Sequence, residues 1–152
     1  MKTIISLCAA MYYKKPARKP AGKSRNATLK AKLDRVFSEY IRLRDTEGHT
    51  KDGFFKCVSC GQIKPYSQAD CGHYIGRQHM ATRFNELNCW AQCRKCNRFE
   101  EGRKADYRRN LVDRIGEDKV LLLEASQRNT AKISDFEYEE LIKFYQQKIK
   151  EF

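Results

Sequence analysis

The chain has 152 residues, 41% of them hydrophobic, and a formal net charge of +12. This length and apolar share argue against wholesale disorder and fit one domain with a modest core. No stretch approaches the run of about 20 apolar residues that a membrane-spanning helix needs. The charge favours a polyanionic partner, because basic side chains displace counterions from phosphates, and a solvated basic surface is the plainer alternative.

Residues 1–26 are predicted to form a flexible basic arm. Nine Lys or Arg precede the first acidic residue, Asp34, and the stretch 14–23 contains two prolines, a glycine and no acid. Such a composition opposes regular structure. The apolar run 4–13 is short for a secretion signal and lacks an obvious cleavage site, so we expect a cytoplasmic protein.

Secondary structure is predicted from the spacing of apolar residues and from turn signals. A helix should cover about 28–45, since its apolar residues recur on one face. Short strands follow within 54–74, and then a loop over 75–87. A further helix is expected to begin near Cys93 or Cys96.

The C-terminal part is predicted to be helical. A helix after Gly102 ends at Gly116, and a short one covers 117–123 with acids at its N-terminus. A capping box at 134–137 starts the last helix. The apolar stripe of that helix fits a core or a dimer face equally well.

Two C-x-x-C pairs carry the most specific signal in the chain. Cys57 and Cys60 form the first pair, and Cys93 and Cys96 form the second, with 32 residues between them. Four thiolates at this spacing suit a tetrahedral structural zinc, because sulfur then fills every coordination position. In a secreted chain paired cysteines could instead mark disulfides, but the x-x spacing favours the metal.

The remaining cysteines, Cys8, Cys71 and Cys89, are predicted to be free thiols. Cys71 and Cys89 lie in the segment between the two pairs. A redox role or an auxiliary metal role for these two is the alternative.

A histidine and two asparagines are candidate reactive groups. His73 falls late on a predicted strand, and a neutral imidazole can take a proton from water near pH 7. Asn88 could hold that ring, and Asn97 could give its amide oxygen to Mg²⁺. Taken one at a time, a structural histidine, a turn and a helix cap are the better explanations.

The order of these residues resembles the zinc-braced HNH, or ββα-metal, endonucleases. The pattern is C-x-x-C, then a histidine, then Asn-x4-Cys-x-x-Cys-Asn, within residues 54–102. A closer likeness, from about residue 35 to the C-terminus, is to the phage NinG family, also called Rap. It rests on YIRLRD at 40–45, DCGHY at 70–74, RFNELN at 83–88, QCRKCN at 92–97 and the tail 107–116.

The resemblance implies roles for the candidate residues. His73 takes the position of the general base, Asn88 that of the asparagine that orients it, and Asn97 that of a ligand for a catalytic Mg²⁺ or Mn²⁺. Many HNH enzymes have an acidic ligand immediately before the histidine, where this chain has Gly72. Asp70 shares a face with position 72 on an extended strand, so it is the candidate replacement.

The resemblance also implies a substrate and a partner. The substrate would be branched DNA, such as Holliday junctions or D-loops, cut to 5′-phosphate and 3′-hydroxyl ends in the cytoplasm of a bacterial host. A homodimer is attractive on the same grounds, and no membrane partner is expected. Arg77 could clamp the scissile phosphate, and the other predicted DNA contacts are Arg83, Arg98 and Arg103.

The sequence thus predicts an α+β fold. A zinc-stabilised ββα-metal core at about 54–102 lies among flanking helices, in a domain that covers 27–152 and is helical from 103 onwards. The predicted activity is a metal-dependent DNA endonuclease. Glu101 and His79 could also approach the metal or phosphate, although a surface acid and a loop histidine are plainer explanations. The functional alternatives are a non-catalytic zinc module that binds nucleic acid and an adaptor whose last helix pairs with a partner.

Overall fold

The first helix is α1 (Arg25–Arg44) in the computed structural model, which describes residues 24–152. The Ser24 hydroxyl accepts a hydrogen bond from the Ala27 N–H and caps the helix. Its start therefore lies slightly before the predicted one, because a good capping residue precedes the apolar stripe. Residues 1–23, with Cys8 and most of the predicted arm, lie outside the described residues.

The last helix, α5 (Asp135–Lys150), packs along α1. The predicted capping box is confirmed: the Glu137 N–H donates to the Ser134 hydroxyl, and the Glu137 carboxylate accepts from the Ser134 N–H. The apolar stripes of the two helices meet in one core, so the stripe of α5 is at least partly core. This core contains Leu33, Phe37, Tyr40, Ile41, Tyr138, Ile142 and Tyr145.

Two antiparallel hairpins lie between these helices. β1 (Phe54–Lys56) pairs with β2 (Ile63–Pro65), and β3 (Ala69–His73) pairs with β4 (Cys89–Cys93). In the second hairpin Ala69 lies opposite Cys93, and His73 lies opposite Cys89. The strands within 54–74 are confirmed, whereas β4 was not predicted.

The connections around the second hairpin carry helical turns. The predicted loop over 75–87 contains the short helix α2 (Met80–Arg83), followed by a 3₁₀ turn at Glu86–Asn88. The helix expected near Cys93 or Cys96 is a single π-helical turn, Lys95–Phe99. Hence the chain leaves β4 through a tight turn and not through a long helix.

Two further helices complete the described residues. α3 (Lys104–Ile115) ends at Gly116, which has φ +87°, and α4 (Glu117–Ser126) follows directly, as predicted. Glycine tolerates this left-handed φ without steric cost. The two helices share a core with the turn after β1 and the segment after β3, and this core contains Val58, Ile75, Tyr107, Leu111, Val120 and Leu123.

The fold is thus mixed α+β and mostly helical, with two small two-stranded sheets. No helix within residues 24–152 has the length and apolar character to cross a membrane.

Candidate metal centre and adjoining cleft

The four paired cysteines come together, as predicted from their spacing. Cys57 and Cys60 lie in the turn between β1 and β2, Cys93 ends β4, and Cys96 lies in the π-helical turn. Their sulfur atoms all lie within 4.8 Å of one another. Four converging thiols fit a tetrahedral structural zinc, which leaves no position for a substrate water.

The backbone around this cluster is arranged for thiolates. The Cys93 N–H donates to the Cys57 sulfur at 3.3 Å. Burial opposes ionisation of the Cys57 thiol, but N–H groups of Cys93, Cys60 and Ser59 outweigh it and lower its pKa. Burial raises the pKa of Cys93 and Cys96, so a dication is needed to hold the whole set as thiolates.

A polar cleft of about 550 Å³ opens beside the second hairpin. β3 contributes Asp70, Cys71 and His73, and the segment that follows β4 contributes Asn97 and Arg98. Five of the predicted site residues, Asp70, His73, Arg77, Asn97 and Arg98, therefore share this cleft. Its other lining residues are Ser38, Gly76, Glu101, Gly102 and Lys104.

His73 is held by backbone carbonyls. Its Nε2 lies 3.1 Å from the Arg83 oxygen, and its Nδ1 lies 3.3 Å from the Cys71 oxygen. A neutral imidazole carries one proton, so one of the two ring nitrogens donates to the carbonyl it faces and the other keeps its lone pair. Burial, with the nearby charges of Arg77 and Arg83, lowers the pKa of His73 to about 4 despite both carbonyl contacts. The ring is therefore neutral at pH 7.

Asn88 braces the segment that follows β3. It is fully buried, and its side-chain oxygen accepts from the Ile75 N–H at 2.8 Å. Its Nδ2 donates to the carbonyl oxygens of Ile75 and Thr82, each at 3.0 Å. The residue after Thr82 is Arg83, whose carbonyl faces His73. Asn88 thus holds the backbone next to the Arg83 carbonyl and makes no hydrogen bond to the imidazole itself, where the predicted role would place one.

Asp70, Asn97 and Arg98 form a hydrogen-bonded group in the cleft. Both carboxylate oxygens of Asp70 accept from Arg98 at 2.7 Å, and the Asn97 Nδ2 donates to one of them at 3.1 Å. Burial opposes ionisation of Asp70, but the hydrogen bonds from Arg98 and Asn97 and the charges of Arg98 and Arg94 outweigh it, so its pKa is lowered. The cleft therefore offers one ionised carboxylate and one amide oxygen as hard ligands.

The structure also explains the glycine immediately before His73. A Cβ at Gly72 would lie 2.4 Å from the Gln92 Oε1 and 2.7 Å from the Gln92 Cβ. Gln92 is buried and donates to the Ser59 hydroxyl at 2.6 Å and to the Gly102 oxygen at 2.7 Å. An acidic side chain has no room at position 72, which leaves Asp70 as the nearest carboxylate on that strand.

The four arginines predicted to contact DNA differ in their surroundings. Arg77 is exposed on the cleft. Arg98 is paired with Asp70, and Arg103 with Asp106 at 2.5 Å. The guanidinium of Arg83 is largely buried against Asp34 at 2.7 Å, so its main contacts are internal.

Of the two weaker candidates, the structure brings one to the cleft. Glu101 lines it, whereas His79 is bonded through Nδ1 to the Gln127 oxygen at 3.1 Å. Lys104 was not singled out from the sequence, yet its Nζ lies in the cleft and donates to the His73 oxygen at 2.7 Å. Ser38 of α1 was also missed, because both residues come from elements distant in sequence and carry no local signal.

The fold and the cysteine cluster define a mixed α+β protein built around a site that can hold zinc. The family described as Bacteriophage Lambda NinG protein matches residues 11–152. The chain therefore belongs to the NinG family.

Individual relatives agree with this assignment. Protein ninG of Escherichia phage lambda is 34% identical over 137 residues, which is 88% of this chain and 61% of the relative. Protein ninG of Escherichia phage 933W is 34% identical, and that of Salmonella phage P22 is 32% identical, over 88% of this chain and 62% of each relative. The chain thus spans about three fifths of the length of these relatives. No solved structure matches.

Proposed function

We propose that the chain is a divalent-metal-dependent endonuclease of the HNH type that cuts branched DNA, such as Holliday junctions or D-loops. The observation that carries this proposal is the neutral imidazole of His73 in a basic cleft that also holds Asp70 and Asn97. Phosphodiester hydrolysis needs an activated water and charge stabilisation at the leaving oxygen. The cleft offers side chains suited to both tasks.

His73 is the proposed general base. One ring nitrogen donates to the carbonyl it faces, and the other takes a proton from a water molecule. That water attacks phosphorus, the bond from phosphorus to the 3′ oxygen breaks, and this oxygen takes a proton from solvent. The products are a 5′-phosphate and a 3′-hydroxyl. The indirect brace from Asn88 keeps the Arg83 carbonyl, and hence the ring, in position.

The oxygen donors of the cleft fit a hard cation. A bound Mg²⁺ or Mn²⁺ supplies charge stabilisation at the leaving oxygen. Asp70 and Asn97 are the residues that would hold it, with water in the other positions, since Mg²⁺ prefers oxygen ligands and keeps several waters. Asp70 must first release Arg98, which binds the same carboxylate oxygens.

The basic side chains around the cleft are proposed to place the DNA strand. Arg77 is exposed at the cleft. Arg98 becomes available to bind phosphate when Asp70 binds a cation in its place. Arg103 and the neighbouring Lys95 lie exposed on the surface after β4. Guanidinium groups grip phosphate bidentately, and such contacts position the backbone without reading sequence.

A decisive test is cleavage of a four-way junction in Mg²⁺ by the wild type and by His73→Ala. We expect the wild type to cut and His73→Ala to lose at least about 100-fold in rate, the usual contribution of a general base. His79→Ala is the matched control, because this histidine lies against Gln127 and not in the cleft. The metal should be withdrawn by omitting Mg²⁺, since a strong chelator would also remove zinc.

The competing function is a zinc module that binds nucleic acid without cutting it. It predicts junction binding with no products in Mg²⁺ or Mn²⁺, whatever the residue at position 73. Equal cutting by wild type and His73→Ala, with zinc content retained, would instead remove His73 from the mechanism. A homodimer would present two clefts to opposed strands, and light scattering of the junction-bound protein tests that arrangement.

A further inference from the structure

A second group of metal-binding side chains adjoins the cleft. One ligand atom each of Cys71, His73 and Cys89 lies within 4.8 Å of the others. The sulfur atoms of the four-cysteine cluster also lie within 4.8 Å of one another. Two thiols and one imidazole form a donor set suited to zinc.

The pairing of β3 and β4 produces this convergence. His73 lies directly opposite Cys89, and Cys71 is two residues before His73 on the same face of β3. Cys89 is fully buried, whereas Cys71 and His73 are partly exposed and line the cleft. A cation can therefore enter from the cleft and meet all three donors.

A fourth donor lies at the same place. The Arg83 carbonyl oxygen is 3.1 Å from His73 Nε2 and 3.8 Å from the Cys89 sulfur. Three side-chain ligands with a fourth position open to an oxygen or a water are typical of non-structural zinc sites. Binding would release the two thiol protons, because the ligand is the thiolate.

We propose that Cys71, His73 and Cys89 form a second, regulatory zinc site that blocks the general base. A neutral imidazole has one lone pair, so zinc on either ring nitrogen consumes it and leaves the other nitrogen protonated. His73 can then no longer accept a proton from water. Zinc binding is independent of the function proposed above, whereas the block on cutting depends on it.

Metal counting tests the site itself. The reduced wild type, holding one zinc per chain, is titrated with Zn²⁺ against a chromophoric zinc chelator, and we expect a second equivalent to bind. Co²⁺ added to the one-zinc protein should give a thiolate-to-cobalt absorption band. Cys71→Ser should lose both the second equivalent and the band, as should Cys89→Ala.

If the variant of the buried Cys89 fails to fold, Cys71→Ser still tests the site, because Cys71 is partly exposed. His79→Ala, which changes a metal-binding side chain that is hydrogen-bonded to Gln127 and belongs to neither cluster, is the matched control and should keep two equivalents. A wild type that binds a single equivalent would overturn the site. A second equivalent that persists in Cys71→Ser would overturn it as well.

Junction cutting tests the regulatory consequence. Zinc at the concentration that fills the second site should abolish cutting by the wild type in Mg²⁺ and spare that by Cys71→Ser, each measured against its own zinc-free rate. Equal inhibition of both proteins would assign the effect to another site and refute the regulation. A wild type that never cuts would refute the proposed endonuclease function, and the metal count would still decide the site.

Discussion

The side chain of Asn88 is hydrogen-bonded to both backbone polar groups of Ile75: it accepts from the N–H at 2.8 Å and donates to the carbonyl oxygen at 3.0 Å. Ile75 lies outside the sheet, and the Asn88 side chain satisfies its N–H and its carbonyl as a neighbouring strand would. The same amide group also reaches the Thr82 carbonyl. One buried side chain therefore fixes both ends of the segment that leads from His73 to Arg83.

The first prediction concerns this brace. Asn88→Asp keeps the acceptor for the Ile75 N–H but removes both donated hydrogen bonds, so the Ile75 carbonyl loses its partner, while the Thr82 carbonyl keeps the Asn85 N–H at 3.2 Å. Each unsatisfied group costs about 1–3 kcal/mol. We expect the free energy of unfolding in urea to fall by about 1.5–4.5 kcal/mol, from one unsatisfied carbonyl and about 0.5–1.5 kcal/mol for the second lost hydrogen bond. Asn129→Asp, at an exposed position, is the control, and equal stability of the two variants would contradict the role of the brace.

The second prediction concerns the four-cysteine cluster. Chelation of zinc, or Cys57→Ser, should unfold the two hairpins, because metal binding and folding are coupled at such sites. Zinc analysis and hydrogen exchange of β1 to β4 report the loss. The thiol control is Cys71→Ser, which lies outside this cluster and should keep the structural zinc. Hairpins that stay protected in zinc-free protein would refute a structural metal.

A third prediction follows from the tight contact at Gly72. Gly72→Ala places a methyl group against the buried Gln92, so we expect a loss of about 1–3 kcal/mol in unfolding free energy from overpacking. At Gly76 the three atoms nearest the new methyl group all belong to the exposed side chain of Gln78, which can move away. Gly76→Ala should therefore be nearly neutral. Thermal melts that rank the two variants the other way would contradict this account.

A fourth prediction concerns the acid stability of the contact between α3 and α4. The Glu124 carboxylate accepts hydrogen bonds from Arg108, which has the larger effect, and from the Tyr74 hydroxyl. Both lower the pKa of Glu124 below the ordinary 4.5. The stabilisation is therefore complete above about pH 4.5 and is lost as the pH falls through the lowered value.

Glu124→Gln tests that linkage. We expect it to be less stable than the wild type at pH 7 by at most about 1 kcal/mol, as for other half-exposed pairs, and to approach the wild type near pH 3. Glu140→Gln breaks a surface pair with Lys143 and serves as the control. A stability difference for Glu124→Gln that does not shrink in acid would contradict the assignment.

The fifth prediction tests the competition for Asp70. In Arg98→Ala the carboxylate is free of its bidentate partner, so half-maximal cutting should need less Mg²⁺ although DNA binding weakens. In Arg103→Ala, where the lost partner is mainly Asp106, the Mg²⁺ requirement should stay unchanged. Identical Mg²⁺ titrations for wild type and Arg98→Ala would argue against Asp70 as a ligand.

Features with local causes were predictable from the sequence. The capping box at Ser134 and the helix-ending Gly116 depend on short-range chemistry, and the convergence of the cysteine pairs follows from the four ligands that one structural zinc requires. β4 escaped prediction because four of its five residues are buried, so it lacks the alternation by which a half-buried strand is recognised.

The make-up of the cleft was harder to predict. The sequence pattern identified His73, Asp70 and Asn97. It missed Ser38 and Lys104, which reach the cleft from α1 and α3. The partner of Arg83 is similarly remote, since Asp34 lies on α1. Such pairings depend on how whole elements pack, and no spacing within one segment encodes them.

The five-pair ladder of β3 and β4 has a cysteine of the four-sulfur cluster at one end, where Ala69 faces Cys93, and the imidazole at the other, where His73 faces Cys89. A slip of one residue would turn every side chain of β3 to the opposite surface. It would also misalign the strand against the cysteine that the metal holds. A bound zinc would thus fix the pairing register of the hairpin, and with it the distance of His73 from the thiolates.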